Sequence, residues 1–154
     1  VPLAADFTTA NIPDNQMYSI LTASLPFTIV KRTLYMSADP GYDDHELYDL
    51  SIDMGFQLVC PVKRYRNTPS DRIKLVEFYE SEVGQTIYSL RSISIEPLIE
   101  HIKSVFRIDP LPVRGFAKAS SVVLLSVLLY QILVYYNCKT RKDNPRAIKY
   151  MLGT

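Results

Sequence analysis

Apolar residues follow two different spacings along the chain, and together these spacings predict alternating strands and helices. Short apolar runs at 1–8, 33–38 and 56–62 predict strands. Between the second and third runs, residues 47–54 carry apolar side chains at helical spacing, and Gly55 then ends the segment. A strand, a helix and a second strand in this order predict a βαβ unit, with a parallel pair at the centre of the sheet.

Further apolar positions three and four apart predict additional helices. Asp14 is expected to cap a short helix, and Ser70 is expected to cap another. A third helix is predicted over 94–107, with Pro97 in its first turn, where proline is tolerated. The last predicted helix, over 117–138, is strongly apolar. The predicted fold class is therefore α/β.

The composition is that of one ordinary domain, but its charge is unevenly divided. The chain has 154 residues, 47% of them hydrophobic and 21% charged, with a formal net charge of +1. These values exclude a disordered chain and a collagen. Residues 1–60 hold two basic and eight acidic residues, whereas 61–154 hold fifteen basic and eight acidic. The two cysteines form no disulfide framework, which fits a reducing compartment.

Two acidic residues stand at positions that suit a divalent cation. Asp39 follows the predicted parallel strand, at whose carboxyl end ligands bind in open α/β sheets. Glu96 opens a later helix, and Mg²⁺ takes one or two carboxylates and fills its remaining positions with water and phosphate oxygens. The alternative is that Asp39 forms a turn before Pro40 and that Glu96 merely favours a helix N-terminus. Spacing alone leaves both interpretations open.

The residues around these acids resemble segments of the DDE transposases of bacterial and archaeal insertion sequences. Residues 38–43, Ala-Asp-Pro-Gly-Tyr-Asp, resemble the family's Ala-Asp-x-Gly-Tyr-Asp segment, and residues 1–14 are similar to its strand with a Thr-x-Ala-Asn-x-x-Asp continuation. Pro-Val-Arg-Gly at 112–115, before an apolar helix, matches the family's ending. The family's Tyr-Arg-Glu-Lys signature is matched by Tyr88, Arg91, Glu96 and Lys103. The resemblance covers nearly the whole chain.

This resemblance implies a ribonuclease H-like mixed sheet with flanking helices, and it assigns roles to the matched residues. Asp39 is expected to be the second acid of the DDE triad and Glu96 the third. Tyr88, Arg91 and Lys103 are expected to support them. In the family the triad holds two Mg²⁺ or Mn²⁺ ions, which activate water or a DNA 3′-hydroxyl for attack on a phosphodiester. The implied function is DNA cutting and strand transfer at insertion-sequence ends.

The chain departs from the family pattern at two places. Four residues separate Arg91 from Glu96, where the signature usually has three. Glu96 is preferred over Glu100 as the third acid because it keeps the six-residue gap to Lys103. The family's first acid lies upstream of the segment with which this chain starts. We therefore expect a single, partial catalytic domain over 1–154, with an incomplete triad and little activity alone.

A basic loop follows the predicted βαβ unit and is a candidate for DNA contact. Lys and Arg side chains bind phosphates without reading sequence, although a solvated loop is the alternative. The resemblance favours DNA contact by Lys63, Arg64 and Arg66, within a basic patch that extends to Arg72 and Lys74. The expected partners are transposon-end DNA and a second copy or a full-length transposase. The expected location is the cytoplasm, at the nucleoid.

The apolar segment 119–138 keeps a different function open. Its twenty consecutive uncharged residues are enough to span a bilayer, and basic residues follow at Lys139, Arg141 and Lys142. Gln131 instead suits a protein interior that offers hydrogen-bond partners. The resemblance favours burial on most sides over insertion, because the family ends in such a helix. Two alternatives to a transposase enzyme therefore remain. One is an inactive remnant that only binds DNA or a partner transposase, and the other is a small membrane-anchored protein.

Overall fold

A computed structural model gives the fold, and its contacts divide the chain into two units. It describes residues 1–62, 64, 66, 68–140 and 143–152, without the side chains of Tyr150 and Leu152. The central unit comprises Ile12–Ile95, and the terminal unit comprises Val1–Asn11 with Glu96–Thr154. The expected single domain over 1–154 stays a prediction.

The described residues form seven α-helices, two strands and two short 3₁₀ helices. The 3₁₀ helices are Asp14–Met17 and Pro40–Tyr42. The strands are β1 (Tyr35–Ser37) and β2 (Gln57–Val59). The helices are α1 (Tyr18–Ala23), α2 (Phe27–Val30), α3 (His45–Asp53), α4 (Ser70–Glu80), α5 (Glu82–Phe106), α6 (Phe116–Thr140) and α7 (Lys149–Leu152).

The predicted βαβ unit is confirmed. The strands β1 and β2 pair in parallel, with Met36 opposite Leu58, and α3 connects them. The side chain of Asp44 caps α3 by accepting a hydrogen bond from the Glu46 amide at 3.0 Å. The chain turns at Gly55, whose φ of 88° is readily adopted only by glycine.

The predicted strand at 1–8 is wrong, because these residues form no regular element. A strand needs a partner for its backbone hydrogen bonds, and the described part of the chain contains only β1 and β2, which pair with each other. The segment is fixed instead by a side chain, since Gln131 donates from Nε2 to the Pro2 carbonyl oxygen at 2.8 Å. Gln131 thus has a hydrogen-bond partner within the protein, as the sequence predicts.

Three predicted helix starts are also wrong. Asp14 and Ser70 do not cap their helices, since the N-cap positions belong to Pro13 and Pro69. The helix predicted to begin at 94 begins at Glu82, so that Pro97 lies in its interior. Its start is marked by Ser81, whose hydroxyl accepts a hydrogen bond from the Gly84 amide at 3.1 Å.

Each unit has its own apolar core. In the central unit, α3, β2 and the start of α1 pack around a buried cluster that comprises Tyr18, Leu47, Tyr48, Phe56, Leu58, Cys60, Val62 and Val76. In the terminal unit, the C-terminal half of α5 packs against α6 and against Ile148. Its buried cluster comprises Ile102, Val105, Tyr130, Val134 and Ile148.

The helix α6 is buried on one face only, so the expected burial on most sides is wrong. It is long and apolar enough to cross a membrane by length and composition, and 22% of its most apolar window is buried. The buried positions are Ala119, Ser126, Tyr130, Val134 and Asn137. Leu125, Leu128 and Ile132 on the opposite side are about half exposed, at 56%, 48% and 52%. The neighbouring elements of the terminal unit cover only one side of this helix.

Candidate active site

Asp39 lies at the carboxyl end of β1, where the chain leaves the sheet. The Ala38 amide continues the ladder by donating to the Val59 carbonyl oxygen at 3.0 Å. Pro40 then excludes Asp39 from the helical region, and Asp39 is extended at φ −68° and ψ 162°. Its backbone oxygen accepts from the Tyr42 amide at 3.0 Å, which closes the 3₁₀ turn. The Asp39 side chain remains 53% exposed, so it is accessible to a ligand.

Two residues of the predicted signature lie near Asp39. Arg91 contacts Asp39, and Tyr88 contacts Arg91. The Nη1 atom of Arg91 is 2.5 Å from Oδ1 of Asp39, and the Arg91 side chain is only 18% exposed. Tyr88 precedes Arg91 by three residues on α5, a spacing at which helical side chains are neighbours. The Arg91 guanidinium carbon lies 6.0 Å from the centre of the Tyr88 ring, and Nη1 donates to its hydroxyl at 3.5 Å.

Tyr42 faces the same group of charges. Burial raises its pKa, and the negative charges of Asp14 and Asp39 raise it further, whereas Arg91 lowers it. Its ring packs edge-on against Tyr18, with the ring centres 5.9 Å apart. The Tyr42 hydroxyl therefore stays protonated near the Asp39 carboxylate at neutral pH.

Asp43 forms a second, more buried ion pair below this turn. Its Oδ2 accepts from Nη2 of Arg72 at 2.5 Å, and its Oδ1 accepts from the Tyr48 hydroxyl at 3.2 Å. The two charged side chains are only 17% and 19% exposed. The Tyr48 oxygen also lies 2.9 Å from the sulfur of Cys60. We call these four residues the Asp43 clamp, because they join α3, α4 and the residue that follows β2 to the turn after Asp39.

The Asp43 clamp was missed by the sequence reasoning. The predicted basic patch includes Arg72, but no pattern in the sequence predicts its contact with Asp43. The available signal was the position of Asp43 as the last residue of the segment 38–43. Burial raises the pKa of both Tyr48 and Cys60, that of Cys60 to about 11. The Cys60 thiol is therefore unreactive in the folded chain.

Glu96 and Lys103 are placed in the terminal unit. Glu96 is exposed on α5. The Nζ atom of Lys103 is 3.2 Å from Oδ2 of Asp109, and both side chains are substantially exposed. Exposed pairs of this kind contribute little to stability, about 0–1 kcal/mol. Their roles as third acid and supporting residue stay predictions.

The residues predicted to bind DNA have different surroundings. Lys63 lies outside the described residues. Arg64 is exposed and its Nη1 atom is 3.8 Å from Oε2 of Glu80, a loose surface pair. Arg66 is exposed as well. Arg72, from the same basic stretch, is held by Asp43, and its charge is therefore not available to a phosphate.

Asp39 fits a divalent cation as one ligand. Carboxylate oxygens are the ligands that Mg²⁺ prefers, and proteins often supply only one or two of them. Among the described residues, no group of three or more His, Cys, Asp or Glu side chains comes together. The positive charge now beside Asp39 is the Arg91 guanidinium. The described residues thus provide one carboxylate ligand, and further ligands would have to join it.

The contact between Asp39 and Arg91 brings together two segments that resemble the DDE transposases, the segment 38–43 and the Tyr-x-x-Arg motif. The family model described as transposase DDE domain matches residues 1–132. The chain belongs to this family, whose members act on DNA ends and generally use divalent metal ions. The family implies a ribonuclease H-like fold, with which the parallel pair and its helices are compatible. Neither a curated protein nor a solved structure matches the chain.

Proposed function

We propose that this chain takes part in cutting and joining DNA at the ends of an insertion sequence, with Asp39 as the second acid of the triad and Glu96 as the third. The contact between Arg91 and Asp39 carries the proposal. It joins the Asp-x-Gly-Tyr-Asp segment to the Tyr-x-x-Arg motif, which lie about fifty residues apart in the chain. Neither segment by itself has chemistry that is specific to DNA.

Each residue has a proposed role. Bound Mg²⁺ or Mn²⁺ ions would supply the activation of water or of a DNA 3′-hydroxyl. Asp39 and Glu96 would hold these ions. Arg91 orients the Asp39 carboxylate and neutralises it until an ion arrives, with Tyr88 packed beside the guanidinium. Lys103 would support Glu96. We place the reaction in the cytoplasm, at the nucleoid.

The DNA backbone would lie along the basic loop. We propose that Lys63, Arg64 and Arg66 contact its phosphates, since Arg64 and Arg66 are exposed. We also propose that a second copy of the chain or a full-length transposase joins the complex.

Cleavage of a labelled duplex that carries the element's ends tests the proposal. In Mg²⁺ or Mn²⁺, with a full-length transposase present to complete the complex, Asp39→Asn is expected to reduce the cleavage that depends on this chain by at least about a thousandfold. The reason is that catalytic residues that act together lose their activity together. Asp53→Asn is the matched control, since Asp53 is an exposed aspartate of the same unit. Glu96→Gln should match Asp39→Asn, and Glu100→Gln should match the control. Retained cleavage in Asp39→Asn would refute the assignment.

The second candidate is a protein that binds DNA or a partner transposase without cutting. The observation that favours it is that Arg91 already neutralises the Asp39 carboxylate. In this case the wild-type chain would retard the duplex in a gel but cut it with neither ion. Adding full-length transposase would then restore cleavage by the partner alone, and Asp39→Asn would have no effect.

The third candidate is a membrane anchor, which the exposed apolar face of α6 favours. A membrane-anchored chain would stay in the membrane pellet after a carbonate wash. Under the proposed function the chain should instead be extracted by the wash.

A further inference from the structure

The terminal unit contains a small cavity that the proposed reaction does not use. Its volume is about 160 Å³, and its lining comprises Pro97, Leu98, His101, Tyr130 and Arg146. This volume is well above what one water molecule needs, yet it is below the roughly 300–1,000 Å³ of pockets for drug-sized ligands. The cavity therefore suits a small group rather than a whole nucleotide.

The backbone around Arg146 is held in place from both sides. The buried Asn137 of α6 donates from Nδ2 to the carbonyl oxygens of Pro145 and Ala147, at 3.1 and 3.4 Å. Ile148 is fully buried in the core of the unit. Arg146 itself is exposed and lines the cavity, on a backbone that these contacts hold in place.

One polar atom of the lining has no hydrogen-bond partner in the described part of the chain, and one lining residue, Arg146, carries a positive charge. The Nε2 atom of His101 is buried and has no hydrogen-bond partner among the described residues. Its ring packs edge-on against Tyr130, with the ring centres 5.9 Å apart. Burial lowers the pKa of His101, and the charge of Lys149 lowers it further. No Asp or Glu is present among the described residues that line the cavity.

Tyr130 and neutral His101 can each donate a hydrogen bond to an anion. Burial raises the pKa of Tyr130, so that its hydroxyl remains a donor at neutral pH. A neutral His101 can donate from Nε2, and it becomes a stronger donor when a bound anion favours its protonation. A buried nitrogen without a partner costs free energy, and a ligand that accepts its hydrogen bond would recover that cost.

We propose that this cavity binds a phosphate group, with Arg146 as its charged ligand and with Tyr130 and His101 as neutral partners. The planar guanidinium of arginine suits phosphate oxygens in particular. The phosphate can belong to free inorganic phosphate or to a DNA backbone. Only the DNA source depends on the function proposed above.

NMR of the histidine rings tests the site directly, because the chain has only two histidines. The His101 signals report on the cavity. The titratable groups around His101 are Tyr130, Arg146 and Lys149. His45 is an internal control, since it lies in the central unit and its Nδ1 atom is 3.6 Å from Oδ2 of Asp71. The probes are inorganic phosphate, dimethyl phosphate and a short DNA duplex, each at matched ionic strength.

Inorganic phosphate and dimethyl phosphate are expected to shift the His101 signals and raise its pKa, while His45 stays unchanged. Arg146→Gln should weaken this binding at least about tenfold, because it removes a charge-assisted hydrogen bond. Arg146→Lys should recover part of it. Arg114→Gln, which replaces an exposed arginine of the same unit, should have no effect.

The duplex separates the two sources of phosphate. If it also shifts His101, the site takes a backbone phosphate, and if only the small anions do, it takes free phosphate. Both results support the proposal. Equal shifts at His45 and His101, or an Arg146→Gln variant that binds phosphate like the wild type, would overturn it. Neither outcome depends on strand cleavage, so a failure here is distinct from a failure of the proposed function.

Discussion

Asp43→Asn is expected to destabilise the central unit by about 2 kcal/mol. The Asp43 carboxylate accepts hydrogen bonds from Arg72 at 2.5 Å and from Tyr48 at 3.2 Å, and it is only 17% exposed. Hydrogen bonds to charged groups contribute about 1.5–3 kcal/mol, whereas exposed ion pairs contribute about 0–1 kcal/mol. Asparagine keeps the shape and one acceptor but loses the charge, so we take the lower part of the first range.

The reactivity of Cys60 provides the assay. Cys60 is 1% exposed in the same unit and Cys138 is exposed, so Cys138→Ser leaves Cys60 as the only thiol. Burial raises the pKa of Cys60 to about 11, and a thiol reagent therefore labels it only when the unit opens. When opening and closing are fast relative to labelling, a loss of about 2 kcal/mol in the free energy of opening makes labelling roughly 30-fold faster.

Asp71→Asn is the matched control. Its carboxylate is 3.6 Å from His45, with side chains 51% and 64% exposed, so the pair is a surface interaction. Labelling should accelerate less than about threefold in this variant. If Asp43→Asn accelerated labelling no more than Asp71→Asn, the Asp43 clamp would not stabilise the unit, and the reasoning would be refuted.

Three further predictions concern other parts of the chain. Gly84→Ala should cost about 1–3 kcal/mol in urea denaturation, because its Cβ would meet the carbonyl oxygens of Phe78 and Tyr79, whereas Gly41→Ala has open space and should cost little. The pKa of His101 is lowered in the folded chain, so the unfolded chain binds the proton more readily. Thermal stability should therefore fall as the pH drops below about 6.5, and it should fall less in His101→Gln. The triple variant in which Ser replaces Lys63, Arg64 and Arg66 should bind DNA with a weaker salt dependence, the slope of log K against log salt concentration falling by up to about 3. An unchanged slope would show that this loop does not contact DNA.

The sequence predicted the elements that depend on local signals. The apolar spacing of α3 and the stop at Gly55 each act within a few residues, and both are present. The strand at 1–8 failed because a strand also needs a partner, which local sequence does not provide. The predicted start of α5 is wrong because proline favours the first turn of a helix, whereas this helix of 25 residues tolerates the loss of one hydrogen bond at Pro97.

The candidate site was predictable only in part. The resemblance identified Tyr88 and Arg91, but the contact of Arg91 with Asp39 joins distant segments, and no periodicity predicts such a contact. The chain has one more residue between Arg91 and Glu96 than the family signature, and this difference also limits what the sequence predicts. Side chains four positions apart share a helix face, whereas those five apart do not, so the extra residue after Arg91 changes which face carries the acid. The six-residue gap to Lys103 favours Glu96 over Glu100, whereas the distance from Arg91 matches the signature at neither residue.

The two aspartates of the segment 38–43 have opposite surroundings, and this difference separates their roles. Asp39 is 53% exposed, whereas Asp43 is 17% exposed and has two donors. A ligand-binding carboxylate must be accessible, and a buried one must be paired. Asp39→Asn should therefore abolish cleavage while Cys60 labelling accelerates less than about fivefold. Asp43→Asn should accelerate labelling strongly, and any loss of cleavage should then follow the loss of the turn that presents Asp39. Strong acceleration in Asp39→Asn would show that Asp39, too, is a structural residue.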